Sequence, residues 1–147
     1  MKNLSSTQKA YIAGFLDGDG SIYVRMKPNT EYRYGFQIAP YIVLFQSSKD
    51  RKKFEQICSL INIGYIRERK DGILEYTIGR QEAIRTFLEC VKPFLILKKE
   101  QADLMIQILN AKARIKDKND FLVLAELIER FRTLNYSKKR KRHTLTP

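Results

Sequence analysis

Histidine is almost absent from this 147-residue chain, where His143 stands alone near the C-terminus. Its scarcity removes a histidine general base of the kind that serine and cysteine hydrolases use. It also leaves no Cys/His cluster for zinc. Cysteine is nearly as rare. Cys58 and Cys90 both stand in apolar surroundings, so they read as reduced core thiols rather than a disulfide framework. An intracellular setting is expected, either a prokaryotic cytoplasm or an organelle matrix. Long hydrophobic runs are missing too. The longest, "IAPYIVLF" from Ile38 to Phe45, is too short to span a bilayer. The opening "MKNLSSTQKA" has no apolar stretch such as a signal peptide needs.

Acid is in deficit. Lys and Arg number 28 against 16 Asp and Glu, a net charge of +12. An excess of this size favours a polyanionic partner, nucleic acid before an anionic membrane surface. Period-two segments rich in polar donors argue against the membrane, because surface binders use an amphipathic basic helix. Hydrophobic residues make up 44% of the chain, enough for one domain with its own core.

The local signals order the chain as αββαββααα, an α+β domain. Ser5 and Gln8 form a capping box for a first helix of about 12 residues, ending near Asp17 to Asp19. After Gly20 the period changes to two, with Ile22, Val24 and Met26 alternating with Tyr23, Arg25 and Lys27. Pro28 to Tyr32 is turn chemistry, and a second strand is expected from Arg33 to Gln46, where Pro40 suggests a bulge or an edge. Ser48 to Ile61 reads as a helix capped by Ser48, with Phe54, Ile57, Cys58 and Ile61 facing inward. Strands "GYIRER" and "ILEYTIG" follow, joined by Lys70-Asp71-Gly72 as a hairpin. "RQEAIRTFLECV" is helical and stops before Pro93, and two further amphipathic helices run from Lys98 to Ile115 and from Asn119 to Leu134. Residues 1–136 form one domain, and 137–147 are a basic tail, which reads either as phosphate-binding electrostatics or as a solvated terminus.

One face of the strands is apolar. The other carries Tyr23, Arg25, Lys27, Asn29, Gln37, Ala39, Tyr41, Val43, Arg67, Arg69, Glu75 and Thr77. An antiparallel sheet packed on one side and wet on the other has this pattern. Long donors on all four strands suit the base edges of a major groove, which admits a β-ribbon, and Arg25, Arg67 and Arg69 suit guanine. An ordinary solvated sheet face alternates in the same way and is the competing reading.

The stretch "IAGFLDGDGS", Ile12 to Ser21, breaks a local rule by placing Asp17 and Asp19 at the negative end of a helix. Lys98 and Lys99 break the mirror rule at a helix N-terminus, and functional sites are where such rules tend to break. "YIAGFLDGDGS", Tyr11 to Ser21, resembles the signature of the LAGLIDADG homing endonucleases at Ala13, Gly14, Asp17, Asp19 and Gly20. "GYIRER" resembles that family's third strand, and "PFLILKKEQADL" its loop and helix with a catalytic lysine. The resemblance covers residues 8 to 136. With one signature rather than two, the chain looks like the single-motif, homodimeric, group I intron-encoded subclass.

The resemblance implies an αββαββα core with a four-stranded antiparallel DNA-binding sheet and extra C-terminal helices. It implies a homodimer that binds a long pseudo-palindromic duplex through the major groove. Both strands are cut across the minor groove by Mg²⁺-dependent hydrolysis, leaving short 3′ overhangs. Mn²⁺ or Ca²⁺ can occupy the same site, with Ca²⁺ supporting binding without cleavage. The implied catalytic set is Asp19, Gln46, Lys98 and Arg51, with metal held by Asp19 and the Gly18 carbonyl. Tyr32, Lys116, Lys138 and Lys139 join the expected DNA contacts. In the first helix, Ala10, Ala13, Gly14, Asp17 and Gly18 form a narrow stripe of mostly small residues suited to close helix approach at a two-fold axis. Ile12, Phe15 and Leu16 would then enter the domain's own core. An intramolecular packing of the same stripe is the alternative. Pro40 and Val43 depart from the polar pattern of the reading strand, and Ala39 leaves only apolar contact. Two other functions stay open on this fold, an RNA maturase and a non-cleaving DNA-binding regulator. Neither needs Asp19, Gln46 and Lys98 together.

Overall fold

The computed structural model describes Met1 and residues 3–135. Expectations for the tail, including Lys138 and Lys139, lie outside the described residues. Helix α1 runs Ser6–Asp19, followed by β1 Gly20–Pro28 and β2 Phe36–Ser47. Helix α2 is Arg51–Ile61, β3 Tyr65–Glu68, β4 Ile73–Ile78 and α3 Gln81–Val91. Helices α4 Lys99–Ala113 and α5 Lys118–Leu134 complete the order. The sheet is antiparallel with strand order β1-β2-β4-β3. The α+β expectation and its element order hold.

The capping box forms as the sequence implies. Ser5 Oγ accepts from Gln8 N–H at 3.2 Å, while Ser5 N–H donates to Gln8 Oε1 at 3.0 Å. At the other end α1 passes directly into β1, and Gly20 permits this. A Cβ there would lie 2.6 Å from Leu16 Cδ1 and 2.9 Å from the Leu16 carbonyl. Gly72 turns the β3–β4 hairpin at a φ of 81°, the left-handed region that glycine enters without cost.

Three local expectations change. Strand β2 starts at Phe36 rather than Arg33, because residues 29–35 are used in the turn, where Asn29 Oδ1 accepts from Glu31 N–H. Pro40 produces no bulge, since β1 and β2 stay in continuous register from Gly20↔Leu44 to Pro28↔Phe36. It sits instead where β2 is an edge, because pairing with β4 reaches only as far as Ile42↔Ile78. Ser48 does not cap α2. A 3₁₀ turn, Ser48–Asp50, intervenes, and Ser47 Oγ accepts from Lys49 N–H instead.

Even-numbered strand residues face the helices. Ile22, Val24, Met26, Ile42, Leu44, Leu74 and Ile78 are buried against Ile12 and Leu16 of α1, Ile84 and Phe87 of α3, and the inner faces of α4 and α5. Full burial of each such side chain contributes about 1.5–3 kcal/mol. Phe15 is half-buried and packs on Phe54 of α2 with ring centroids 6.0 Å apart. This single core fixes the sheet's opposite face outward and the end of α1 at its margin.

Candidate active site and nucleic-acid interface

The end of α1 meets the start of α4, and each supplies what the other lacks. Asp17 Oδ2 accepts from the backbone N–H groups of Ile96 at 2.8 Å and Leu97 at 3.2 Å, and Oδ1 accepts from Lys98 N–H at 3.0 Å. In return Lys98 Nζ donates to the Asp17 carbonyl at 2.7 Å. The acid sits at the positive end of α4 and the ammonium at the negative end of α1, so both dipole preferences are met across the chain. The Asp17 carboxylate is therefore engaged within its own chain, at the junction of α1 with the loop before α4.

Asp19 is the last residue of α1 and is exposed. Among the described residues its carboxylate makes no hydrogen bond and no ion pair. The backbone at Gly18 is also open, with nothing within 4 Å of where a Cβ would stand. Gln46 comes to the same end of the molecule, since Gly20 pairs with Leu44 two residues before it. Its Oε1 accepts from Ser47 N–H at 2.8 Å, leaving the amide NH₂ as its free group. Arg51 is occupied, donating to Glu68 at 2.9 Å and Glu55 at 3.4 Å. Glu68, Leu74 and Gln46 share one crosswise row of the sheet, so Arg51 braces the row that carries Gln46.

The face of α1 turned away from the core consists of Ala10, Tyr11, Gly14 and Gly18. Ala13, expected there, is 0% exposed and belongs to the chain's own core. A 100° step per residue places Ala13 beside Ile12 and Leu16, and that stripe wins. Tyr11 is 58% exposed, and Ile96 and Leu97 of the loop held by Asp17 are 84% and 72% exposed. The sequence reading missed these two. Their signal was an apolar pair just before a helix start, outside any amphipathic pattern.

The sheet's outer face is less uniform than expected. Arg25, Lys27, Arg67 and Arg69 are exposed, as is Tyr32 in the β1–β2 turn. Tyr23, Asn29, Gln37 and Tyr41 are half-buried. Val43 and Thr77 are 4% and 9% exposed, so Thr77 is corrected from the set of expected DNA contacts. Both are short side chains on the two interior strands, with a neighbouring strand on either side. Glu75 is held by Arg67, whose Nη2 and Nε lie 2.6 and 3.1 Å from Oε2, with Arg69 3.8 Å away. Hydrogen bonding to Glu75 raises the Arg67 pKa above its ordinary value. Burial pushes up the Tyr23 phenol. Lys116 is exposed in the α4–α5 connection, and Lys112 Nζ donates to the Ile38 carbonyl on the open edge of β2 at 2.9 Å.

Residues 12–104 match the LAGLIDADG endonuclease family. The DNA endonuclease I-CreI of Chlamydomonas reinhardtii is 33% identical over 132 residues, 89% of this chain and 80% of that protein. The DNA endonuclease I-CvuI of Chlorella vulgaris is 30% identical over 131 residues, 89% of this chain and 81% of that protein. A crystal structure of I-CvuI in complex with its target in the presence of Ca matches at a TM-score of 0.85, covering 92% of this chain and 86% of that one. Another holds the I-CreI target in the presence of Mg, with the DNA not cleaved. The archaeal intron-encoded homing endonuclease I-Vdi141I, complexed with DNA, shares the fold at a TM-score of 0.82 and 23% identity, covering 95% of this chain and 90% of that one.

Proposed function

The chain belongs to the LAGLIDADG endonuclease family, and on that premise we propose that it is a site-specific DNA endonuclease acting as a homodimer. It binds a long pseudo-palindromic duplex through its sheet in the major groove. It hydrolyses both strands across the minor groove and leaves short 3′ overhangs. The observation that carries this reading is Asp19, an exposed carboxylate without a partner among the described residues, at the same end of the fold as Lys98 and Gln46.

A dimer accounts for two features at once. The outer face of α1 is flat where Gly14 and Gly18 stand, and Tyr11, Ile96 and Leu97 leave apolar surface around it. A two-fold axis through that face covers the apolar groups and brings two copies of Asp19 together. Among the described residues no three His, Cys, Asp or Glu side chains gather as a metal cage. One carboxylate per chain still fits Mg²⁺, which keeps several waters and completes its shell with one or two carboxylates and substrate phosphates. Asp19 and the Gly18 carbonyl would hold it, and when bound it supplies Lewis acidity and a water of lowered pKa. Mn²⁺ would take the same ligands, and Ca²⁺ is expected to support binding without cleavage.

The chain's own groups do the rest. Lys98, steadied by the Asp17 carbonyl, would place an ammonium near the phosphate oxygens on which negative charge develops. Gln46 offers amide hydrogens to a phosphate oxygen or a water, because its Oε1 is already taken. Arg51 supports them by bracing α2 on β3.

Asp19→Asn tests the reading. It should abolish cleavage in Mg²⁺ while leaving DNA affinity within about tenfold, since it removes a metal ligand and no base contact. Cleavage by the Asn variant at the wild-type rate would refute the assignment.

A further inference from the structure

A band across the middle of the outer sheet face carries no charge. Ser21, Val43, Thr77 and Tyr65 lie in one crosswise row, and Tyr23 and Tyr41 lie opposite each other in the next. Charge resumes only on either side, with Arg25 and Lys27 toward the β1–β2 turn and the Arg67–Glu75 pair toward the β3–β4 hairpin. Within the band the two tyrosine rings stack, with centroids 5.3 Å apart and planes 28° from parallel. The Arg25 guanidinium lies 5.9 Å from the Tyr41 centroid. Tyr41 is also closely flanked by Gly79, where a Cβ would stand 3.2 Å from its ring.

This band lies in the middle of the surface assigned above to the major groove, and it offers hydroxyls but no guanidinium, ammonium or amide to base edges. The groove itself offers one apolar group, the C5-methyl of thymine, and apolar side chains recognise it by contact. Burying a methyl group against the rings removes it from water, and aromatic side chains supply large, stiff contact area. We propose that the Tyr23–Tyr41 pair is a specificity element that reads thymine through its 5-methyl group, between flanking arginines that read other bases. The inference rests on the DNA-binding reading, which places this face in the groove.

The experiment uses the full chain in Ca²⁺ and a duplex recovered by selection from a randomised library. Each thymine in a half-site is replaced singly by deoxyuridine, which deletes only the methyl. At one or two positions affinity should fall about fourfold, the value of one buried methyl group. Replacing the T·A pair there with 5-methylcytosine·guanine should bind better than unmethylated C·G by a similar factor. Tyr41→Thr should erase the deoxyuridine effect, whereas Tyr41→Phe, which keeps the ring, should preserve it. A half-site in which every deoxyuridine substitution is neutral overturns the proposal while leaving DNA binding intact. So does a methyl effect that survives Tyr41→Thr in a folded protein. Failure to enrich any duplex overturns both the proposal and the DNA-binding reading beneath it.

Discussion

Lys98 Nζ lies 2.7 Å from the carbonyl oxygen of Asp17, while the Asp17 carboxylate accepts the Lys98 backbone N–H at 3.0 Å. The two residues are 81 positions apart; the ammonium caps the end of α1, and the carboxylate anchors the loop that leads into α4. Removing the acid should loosen both ends. Asp17→Ala is expected to cost about 2 kcal/mol, because three N–H groups lose a charged acceptor. A melting temperature lower by about 4–8 °C would show it. Cleavage should also slow, since the loop before Lys98 loses its anchor. Asp17→Asn keeps one acceptor oxygen, so both effects should be smaller. Equal effects of the two variants would mean that the hydrogen bonds do not hold this junction.

Neighbouring small residues of α1 should behave in opposite ways. Ala13→Leu overpacks the chain's own core and should cost about 1–3 kcal/mol. Gly14 faces open space, so Gly14→Leu should leave the fold intact and split the dimer. Light scattering at about 10 μM and circular dichroism on the two variants would separate these outcomes. A dimeric Gly14→Leu protein would move the two-fold axis off this helix face.

Glu75 neutralises arginines that would otherwise meet phosphate. Glu75→Gln should free Arg67, while Arg69 stays paired with Asp71, and it should raise affinity for unrelated duplex and weaken discrimination. The slope of log K against log salt should steepen by about 0.9 for each arginine that gains a phosphate. An unchanged slope would show that Glu75 does not restrain Arg67.

The buried Cys58 thiol has its pKa pushed up to about 12, first by burial and then by Glu55 nearby. Only the thiolate reacts, and its fraction falls as the pKa rises above the ambient pH. Iodoacetamide at pH 8 should therefore modify Cys58 at least about 100-fold more slowly than free cysteine. In denaturant the difference should vanish. Rapid labelling of Cys58 in the native protein would contradict its burial.

Local rules carried most of the fold. The Ser5–Gln8 box, the period-two strands, the Asp71-Gly72 turn and the stop at Pro93 each act within a few residues, so the sequence alone places those elements. The signature residues Asp17, Asp19 and Gly20 were legible for the same reason, as a broken helix-end rule. The direction in which each side chain is used depends on packing partners far along the chain. Ala13 and Gly14 are both small, and only the core formed with α3 and the sheet decides that one is buried and the other exposed. Val43 and Thr77 share the parity of Arg25 and Arg67, yet they are buried on the two interior strands. Asp17 lay at the wrong helix pole by sequence. The tertiary fold set it at the right pole of α4, because a macrodipole acts on whatever charge is near its end, irrespective of the helix that supplies it.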